Sequence, residues 1–252
     1  MSSVKLKDVP TRGIDVGGVP FVYRELGPSS GVPVVFLHHL MAVLDDWDPR
    51  VIDGIAAQRR VIAFDNRGVG GSGGLVPNTV EAMGRDAIAF IRALGYTQVD
   101  LLGFSLGGGG IEEINKVAAL AYLKSALTWS DARNFLFFPR TPAGKRAARE
   151  YFAALKERTE DRDRPISLQA RRAQLAAIKT AGLSEPDDLS HITQPVLVAN
   201  GDHDLMVASR LLADMARRLP NARLTIYPDS GHGGVFQHHQ AFVSEVLDFL
   251  AN

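Results

Sequence analysis

The 252-residue chain carries 28 basic and 28 acidic side chains, so its formal net charge is zero and it lacks the basic excess expected of a nucleic-acid-binding protein. It contains no cysteine, which excludes disulfides, thiolate metal sites and a cysteine nucleophile. Hydrophobic residues make up 46% of the chain, an ordinary fraction for a globular protein with a substantial core.

Neither a secretory signal nor a membrane span is predicted. The opening stretch, MSSVKLKDVPTRG, lacks the apolar segment of a signal peptide. No stretch approaches the roughly 18 uncharged apolar residues that would indicate a spanning helix. We therefore expect a cytoplasmic protein that has neither a membrane nor a nucleic acid as its partner.

Short apolar strands alternate with helical patterns along most of the chain, which indicates an α/β fold with a mostly parallel central sheet flanked by helices. A hairpin that turns at Gly17-Gly18 is predicted first. Strands are then predicted at Val32–Leu37, Arg60–Asp65, Val99–Phe104, Pro195–Asn200 and Ala222–Tyr227. Helices are predicted at Trp47–Gln58, Thr79–Leu94, Val207–Leu219 and Gln240–Leu250.

The pattern changes between about Ala132 and Gly182, where it becomes arginine-rich, helical and free of strands. Helical insertions in an α/β domain often form a lid over the site, and the apolar run Phe135–Phe138 needs a surface to cover. We predict an α/β core at residues 1–131 and 183–252 with a helical lid at 132–182. A solvated helical excursion is the alternative.

The glycine-rich stretch GVGGSG, Gly68–Gly73, matches the spacing of a dinucleotide-binding loop. That fingerprint also requires a helix at its last glycine and an acid that ends the next strand. Here Gly74 and Pro77 delay the helix, and the next strand ends at Phe104 without an acid. The pattern therefore does not favour nucleotide binding.

A serine between glycines, in the sequence GFSLG at Gly103–Gly107, directly follows the predicted strand Val99–Phe104. A nucleophile elbow needs glycine on both sides because the turn is strained and side chains there would clash. The turn would expose the Ser105 hydroxyl at the carboxyl end of the sheet. It would also aim the backbone N–H of Leu106 at the oxygen of a substrate carbonyl.

A serine nucleophile needs a general base, and the base needs a carboxylate that orients it. An acidic loop, GDHD, follows the predicted strand Pro195–Asn200, and a histidine loop, DSGHGG, follows Ala222–Tyr227. Sites form at this edge of open α/β sheets. The chain order serine, acid, histidine predicts His232 as the base. Asp202 and Asp204 compete as the acid, and Asp204 is preferred.

The second oxyanion donor is expected in the loop after the strand Val32–Leu37, which reads HHLM. The backbone N–H of Leu40, or as a less favoured choice that of Met41, could serve. His38 and His39 are interpreted as hydrogen-bonded supports of this loop rather than as catalytic groups.

Together these motifs resemble the α/β-hydrolase superfamily, in its lidded esterase, C–C hydrolase and cofactor-free haloperoxidase-like branch. FLHH stands where the family has His-Gly, FDNRGVGGS resembles a structural loop, GFSLGG the elbow, NGDHDLMV the acid loop and GHGG the histidine loop. The resemblance covers nearly the whole chain. It implies Ser105, Asp204 and His232 as the triad, the amide of Leu40 as the second oxyanion donor, and neither a metal nor another cofactor.

One departure from the family pattern follows the elbow. The family has a helix and then an apolar strand before the lid, whereas here GGGG leads into a pattern that is helical through Asp131. Relative to that helix-and-strand arrangement, the sequence indicates that about 25 residues are missing after Gly108 and that the first helix of the lid is joined directly to the elbow. The alternative is that Ile111–Ala121 is the nucleophile helix and SALTW a degenerate strand. Loss of a strand would expose the edges of its neighbours.

The predicted function is that of a serine hydrolase that cleaves a small or medium apolar ester or related acyl compound through an acyl-enzyme. The departure after the elbow keeps a second interpretation open, a catalytically weak module that binds a small apolar ligand. A perhydrolase or haloperoxidase-type side activity would use the same triad.

Overall fold

The computed structural model describes residues 4–105, 120–121, 123–125, 127–185 and 187–251. Two compact units are built from Met1–Gly107 with Ala154–Ala181, and from Gly108–Ala153 with Gly182–Asn252. The predicted division into a core and a lid follows other boundaries and stays a prediction. No helix in the described ranges is both long and apolar enough to cross a bilayer.

The first unit is built on a five-stranded mixed sheet. Its strands are β1 Arg12–Val16, β2 Val19–Leu26, β3 Val34–Leu37, β4 Val61–Phe64 and β5 Asp100–Gly103. They are ordered β1-β2-β4-β3-β5 across the sheet. β2 pairs antiparallel with both β1 and β4, whereas β3 pairs parallel with both β4 and β5. The strands therefore form close to their predicted ranges.

The predicted hairpin turn joins β1 to β2. Gly17 and Gly18 have φ angles of 63° and 85°. Two consecutive residues with positive φ are what a two-residue hairpin turn of type I′ requires. The carboxylate of Asp15 accepts the N–H of Gly18 at 2.9 Å and fixes the turn.

Two helices of the first unit begin at capping side chains. α1 spans Pro49–Ala56 after the N-cap Asp48, and α2 spans Val80–Ala93 after the N-cap Thr79. Each cap accepts a backbone N–H of the first turn. Short 3₁₀ helices occur at Leu6–Asp8, Leu44–Asp46 and Leu189–His191.

An aromatic core lies between α2 and the sheet. The rings of Phe64 and Phe90 stack with centroids 4.2 Å apart, and Phe21 stacks on Phe90 at 5.9 Å. Such pairs add specific geometry to the burial of a large apolar area. This packing holds the parallel strands whose carboxyl ends carry the predicted oxyanion loop and serine.

The stretch 132–182 contains helices and no strand, and every residue in it is described. The helices are α3 Arg133–Leu136, α4 Pro142–Ala154 and α5 Leu168–Gly182. The stretch is therefore helical, and its role as a lid stays a prediction.

The second unit holds two parallel strands, β6 Val196–Gly201 and β7 Ala222–Tyr227. They are connected by α6 Ser209–Arg218 and followed by α7 Gly234–Gln237 and α8 His239–Leu250. The acid and histidine loops thus begin at the carboxyl ends of neighbouring parallel strands, as predicted.

The described residues contain no strand between β5 and β6. Ser125, Leu127 and Thr128, which belong to the SALTW segment, are helical, so the degenerate strand does not form at these positions. Residues 111–119, where the alternative placed most of the nucleophile helix, lie outside the described residues. Among the described strands β5 pairs only with β3, and Leu101 on β5 is 61% exposed, as expected at a sheet edge.

Candidate active site

The backbone of Ser105 is strained. This residue lies two positions beyond the end of β5 and has a φ of 72°, in the left-handed region that non-glycine residues rarely adopt. Strain of this kind persists where surrounding structure holds it, and it is concentrated at functional sites. The N–H of the preceding residue, Phe104, donates to Leu37 O at 3.3 Å and ties the turn to β3. Leu106 lies outside the described residues, so its role as an oxyanion donor stays a prediction.

The loop after β3 offers two amides, and the structure distinguishes them. The N–H of Met41 donates to Oε1 of Gln174 at 2.8 Å, so this amide is engaged by a side chain of α5. The N–H of Leu40 has no acceptor among the described residues. This difference favours Leu40 over Met41 as the amide that would meet a substrate.

His39 is part of this loop and packs against the residue that precedes Ser105. Its Nδ1 lies 2.9 Å from Leu40 O, and its ring meets that of Phe104 edge-on with centroids 5.5 Å apart. The contact brings the loop beside the residue that precedes Ser105. It fits the interpretation of His39 as a support.

His38 is fully buried and neutral. Burial, with smaller contributions from neighbouring His39 and Arg24, lowers the pKa of His38 to about 3. Its Nε2 lies 3.6 Å from Oδ1 of Asp65. A histidine that stays neutral across the physiological range is suited to packing and not to proton transfer near neutral pH.

The glycine loop after β4 is a structural element. Asp65 is buried, and its two carboxylate oxygens accept the N–H groups of Leu44 and Gly71, both at 3.0 Å. The Ser72 hydroxyl donates to Asp65 O at 2.8 Å and accepts the N–H of Val22 at 3.0 Å. The polar side chains of Asp65 and Ser72 therefore form hydrogen bonds that hold this loop in its conformation.

In the second unit, His232 and Asp204 form a buried pair. Nδ1 of His232 lies 2.8 Å from Oδ2 of Asp204, and the two residues are 5% and 6% exposed. Oδ1 of Asp204 accepts the N–H groups of Met206 at 2.7 Å and Val207 at 2.9 Å. One oxygen therefore anchors the carboxylate, while the other orients the imidazole through Nδ1.

Asp202 has different partners. Its oxygens accept the N–H groups of Asp229 and Ser230, each at 3.1 Å, and Oδ1 lies 2.6 Å from Nδ1 of His203. Burial acts to raise the pKa of Asp202, but these hydrogen bonds outweigh it and hold the pKa below its usual value. Asp202 thus links the acid loop to the histidine loop. Among the residues that the structure describes, no group of three or more His, Cys, Asp or Glu side chains is arranged to hold a metal ion.

Phe137 contacts His232 and was not predicted at this place. Its ring lies 5.6 Å from the imidazole, and its carbonyl accepts the N–H of Gly233 at 2.8 Å. An added Cβ at Gly231 or Gly233 would come within 2.9 or 2.8 Å of Phe137. The glycines around His232 therefore allow this close approach. The only sequence signal for Phe137 was the apolar run at the start of the predicted lid.

Comparison with known proteins places the chain in a family. The model of the alpha/beta hydrolase family matches residues 34–246. A solved alpha/beta hydrolase fold protein from Chitinophaga pinensis is 33% identical, with 98% of this chain and 99% of that chain covered and a TM-score of 0.89.

Two curated relatives match at lower identity. A putative carbamate hydrolase RutD of Caulobacter sp. (strain K31) is 29% identical over 93% of this chain and 97% of its own. A non-heme chloroperoxidase of Streptomyces lividans is 26% identical over 92% of this chain and 96% of its own. The resemblance inferred from the motifs is confirmed: the chain belongs to the alpha/beta hydrolase family.

Proposed function

We propose that this hydrolase uses Ser105 to cleave a small or medium apolar ester or related acyl compound through an acyl-enzyme. The observation that carries the proposal is the buried hydrogen bond between His232 and Asp204, in which Nδ1 lies 2.8 Å from the carboxylate. A carboxylate that holds Nδ1 leaves the imidazole in the tautomer a general base requires. The left-handed φ of Ser105 supports the nucleophile assignment.

The reaction follows from these roles. Nε2 of His232 accepts the proton of the Ser105 hydroxyl while Oγ bonds to the carbonyl carbon, and Asp204 stabilises the imidazolium. The N–H groups of Leu106 and Leu40 stabilise the negative oxygen of the tetrahedral intermediate. The imidazolium then protonates the leaving alcohol as its bond to carbon breaks. A water molecule, deprotonated by His232, attacks the acyl-enzyme and releases the acid and Ser105.

The helical stretch 132–182 is proposed to act as a lid for this site. The proposed partner of the protein is its small-molecule substrate. The aromatic ring of Phe137 beside His232 supports an apolar substrate. No cofactor enters the proposed steps.

A related second reaction is favoured by one comparison. The Streptomyces lividans relative is a non-heme chloroperoxidase. If hydrogen peroxide replaces water in the attack on the acyl-enzyme, the product is a peracid, which can oxidise halide in a further step outside the triad. Bromination that requires both peroxide and a carboxylic acid buffer would reveal this side activity.

The test is hydrolysis of p-nitrophenyl acetate and butyrate by the wild type and by Ser105→Ala. The wild type is expected to turn over both esters, and Ser105→Ala is expected to lose the activity. Ser30→Ala, at an exposed serine of the β2–β3 connection, is the matched control. A fluorophosphonate should label Ser105 and leave Ser30 unlabelled.

Equal rates from the wild type and Ser105→Ala would reject the mechanism. Tight binding of a small apolar ligand without turnover or labelling would instead favour the binding-module interpretation. One observation supports the binding-module interpretation: the described residues contain no strand between β5 and β6.

A further inference from the structure

Gln174 is a polar residue on the buried face of α5. This helix buries Ala170, Gln174 and Ala177, which recur at the three-to-four-residue spacing of one helix face. Gln174 is 1% exposed. A long amide side chain between two alanines on a buried face is unusual, because burying an amide is costly unless it is hydrogen-bonded.

Half of the Gln174 amide has a clear structural role. Oε1 accepts the N–H of Met41 at 2.8 Å. Met41 has a φ of 65°, so its backbone is also in the left-handed region. A hydrogen bond from outside the loop helps to hold such a conformation.

The other half of the amide has no protein partner. Nε2 of Gln174 is buried and finds no acceptor among the described residues. Its orientation follows from the first bond, since only the oxygen can accept the N–H of Met41. Ala170, one turn earlier on the same face of α5, belongs to an apolar cluster with Val43, Val69 and Ile166, and Met41 packs against this cluster. A buried donor without an acceptor is destabilising, because it has lost its hydrogen bonds to water without gaining others.

We infer that Nε2 of Gln174 donates a hydrogen bond to an oxygen on the acyl chain of the substrate, outside the scissile ester group. This inference rests on the proposed function. Gln174 binds the loop that carries Leu40, and that loop lies beside the elbow through the contact of His39 with Phe104. The oxyanion loop serves the acyl portion in both chemical steps, so a side chain attached to the loop is placed for the acyl chain.

The preferred substrates would then be acyl compounds that are largely apolar but carry one ether or carbonyl oxygen. A site that offers a buried donor discriminates against an analogue without the acceptor, because the donor then stays unpaired. Gln174 would be a specificity-determining residue that takes no part in proton transfer.

The first experiment uses pairs of esters that differ by one acceptor. p-Nitrophenyl methoxyacetate is compared with butyrate, and 4-oxopentanoate with 4-methylpentanoate, on the wild type, Gln174→Met and Gln174→Glu. Methionine removes both functions of the amide, and glutamate retains an acceptor for Met41. Gln169→Met, at an exposed position of the same helix, is the matched control.

The readout is the ratio of kcat/KM values within a pair, normalised to Ser105→Ala background and measured at pH 8.5. Both Gln174 variants should lower the ratio of acceptor ester to isostere by roughly tenfold, the size expected for one hydrogen bond to a buried group. Gln169→Met should leave the ratio unchanged. Equal losses on both members of each pair would reduce Gln174 to a support of Met41 and overturn the inference, as would no loss at all.

A second measurement does not need turnover, which separates this inference from the proposed function. The side-chain NH₂ signal of Gln174 is followed by NMR in ¹⁵N-labelled Ser105→Ala. It is assigned as the signal that is missing from the spectrum of the double variant Ser105→Ala/Gln174→Met. Ethyl methoxyacetate should shift this signal more than ethyl butyrate does. Equal shifts would overturn the inference even if hydrolysis through Ser105 is found. A selective shift without hydrolysis would support it while the proposed mechanism fails.

Discussion

At the scale of single residues, two neighbouring aspartates carry out different tasks. Asp204 divides its oxygens between two loop amides and His232, whereas Asp202 binds two amides of the histidine loop and His203. The two carboxylates are close in sequence, yet Asp204 contacts the imidazole of His232 and Asp202 that of His203. The different partners lead to different expectations for the same substitution.

Asp204→Asn should nearly abolish hydrolysis. The amide oxygen can still accept the N–H groups of Met206 and Val207, but the NH₂ group would face Nδ1 of His232 and favour the wrong tautomer. We expect kcat/KM for p-nitrophenyl butyrate to fall on the order of 10³–10⁴-fold, as for an acid that orients a base. Asp202→Asn, the matched change, should cost less than about tenfold. A larger loss from Asp202→Asn would reverse the assignment.

His38 should make stability depend on pH. The unfolded chain protonates His38 below about pH 6.5, whereas the folded protein keeps it neutral down to its pKa of about 3. The free energy of unfolding therefore loses the His38 contribution as pH falls from about 6.5 towards 3, by about 1.4 kcal/mol per pH unit. Burial and the nearby Asp163 raise the pKa of Asp65, which acts in the opposite direction.

The His38 contribution is isolated by comparison with His38→Gln, which has no titrating ring. Urea unfolding at pH 6.5, 5.5 and 4.5 should show that the stability difference, wild type minus His38→Gln, declines as the pH falls. Gln58→Asn, at an exposed residue that does not titrate, is the control and should show a constant difference. A constant difference for His38→Gln as well would contradict the assignment of a buried neutral imidazole.

At the scale of elements, the ends of β6 and β7 determine how the acid and histidine loops meet. An added Cβ at Gly201, the last residue of β6, would collide with the carbonyl oxygens of Ser230 and Gly231. The Ser209 hydroxyl also donates to Gly201 O at 2.7 Å. The backbone of the strand end is therefore enclosed by the loops that hold Asp204 and His232.

Gly201→Ala should destabilise the protein and weaken catalysis together, because the collision is with backbone that has little room to move. We expect a loss of more than about 2 kcal/mol, on the order of 5 °C in Tm, with a clear fall in kcat. Gly84→Ala is the matched control, since a Cβ there meets nothing within 4 Å and the residue lies within α2. It should stabilise by up to about 1 kcal/mol. Thermal unfolding measures the Tm of both variants. A Tm of Gly201→Ala above that of Gly84→Ala would refute the expectation.

At the scale of the whole molecule, the balance of charge is the main property that follows from composition alone. Equal numbers of basic and acidic residues give a net charge of zero and an isoelectric point near 7.1. A protein without net charge has little electrostatic repulsion between copies. The exposed edge residue Leu101 on β5 adds an apolar contact point.

Solubility should therefore pass through a minimum near pH 7 and rise towards pH 9. Gln58→Glu combined with Gln98→Glu, both at exposed positions, adds two negative charges and should move the minimum to lower pH. The control is Gln58→Asn with Gln98→Asn. Light scattering and the concentration left after centrifugation measure the effect. A minimum that does not move with charge would exclude electrostatic repulsion as its origin.

The sequence alone predicted the parts whose chemistry is local. The apolar strands, the helices and the glycine pair of the hairpin each depend on a few adjacent residues, and they form close to their predicted ranges. The candidate residues Ser105 and His232 followed from the same local patterns, since each stands just past a predicted strand. These features are recognisable because backbone conformation and capping act over only a few positions.

The sequence favoured Asp204 over Asp202, but only the tertiary structure shows that Asp204 contacts His232 while Asp202 binds backbone amides, because these hydrogen bonds reach a loop 28 residues away. The tertiary structure also brought Gln174 to Met41, which is 133 residues distant in the chain, and gave Phe137 its contact with the imidazole. Contacts of this kind depend on how elements pack. No periodicity or spacing in the chain encodes them, since the same helix pattern can bury its polar residue against many different neighbours.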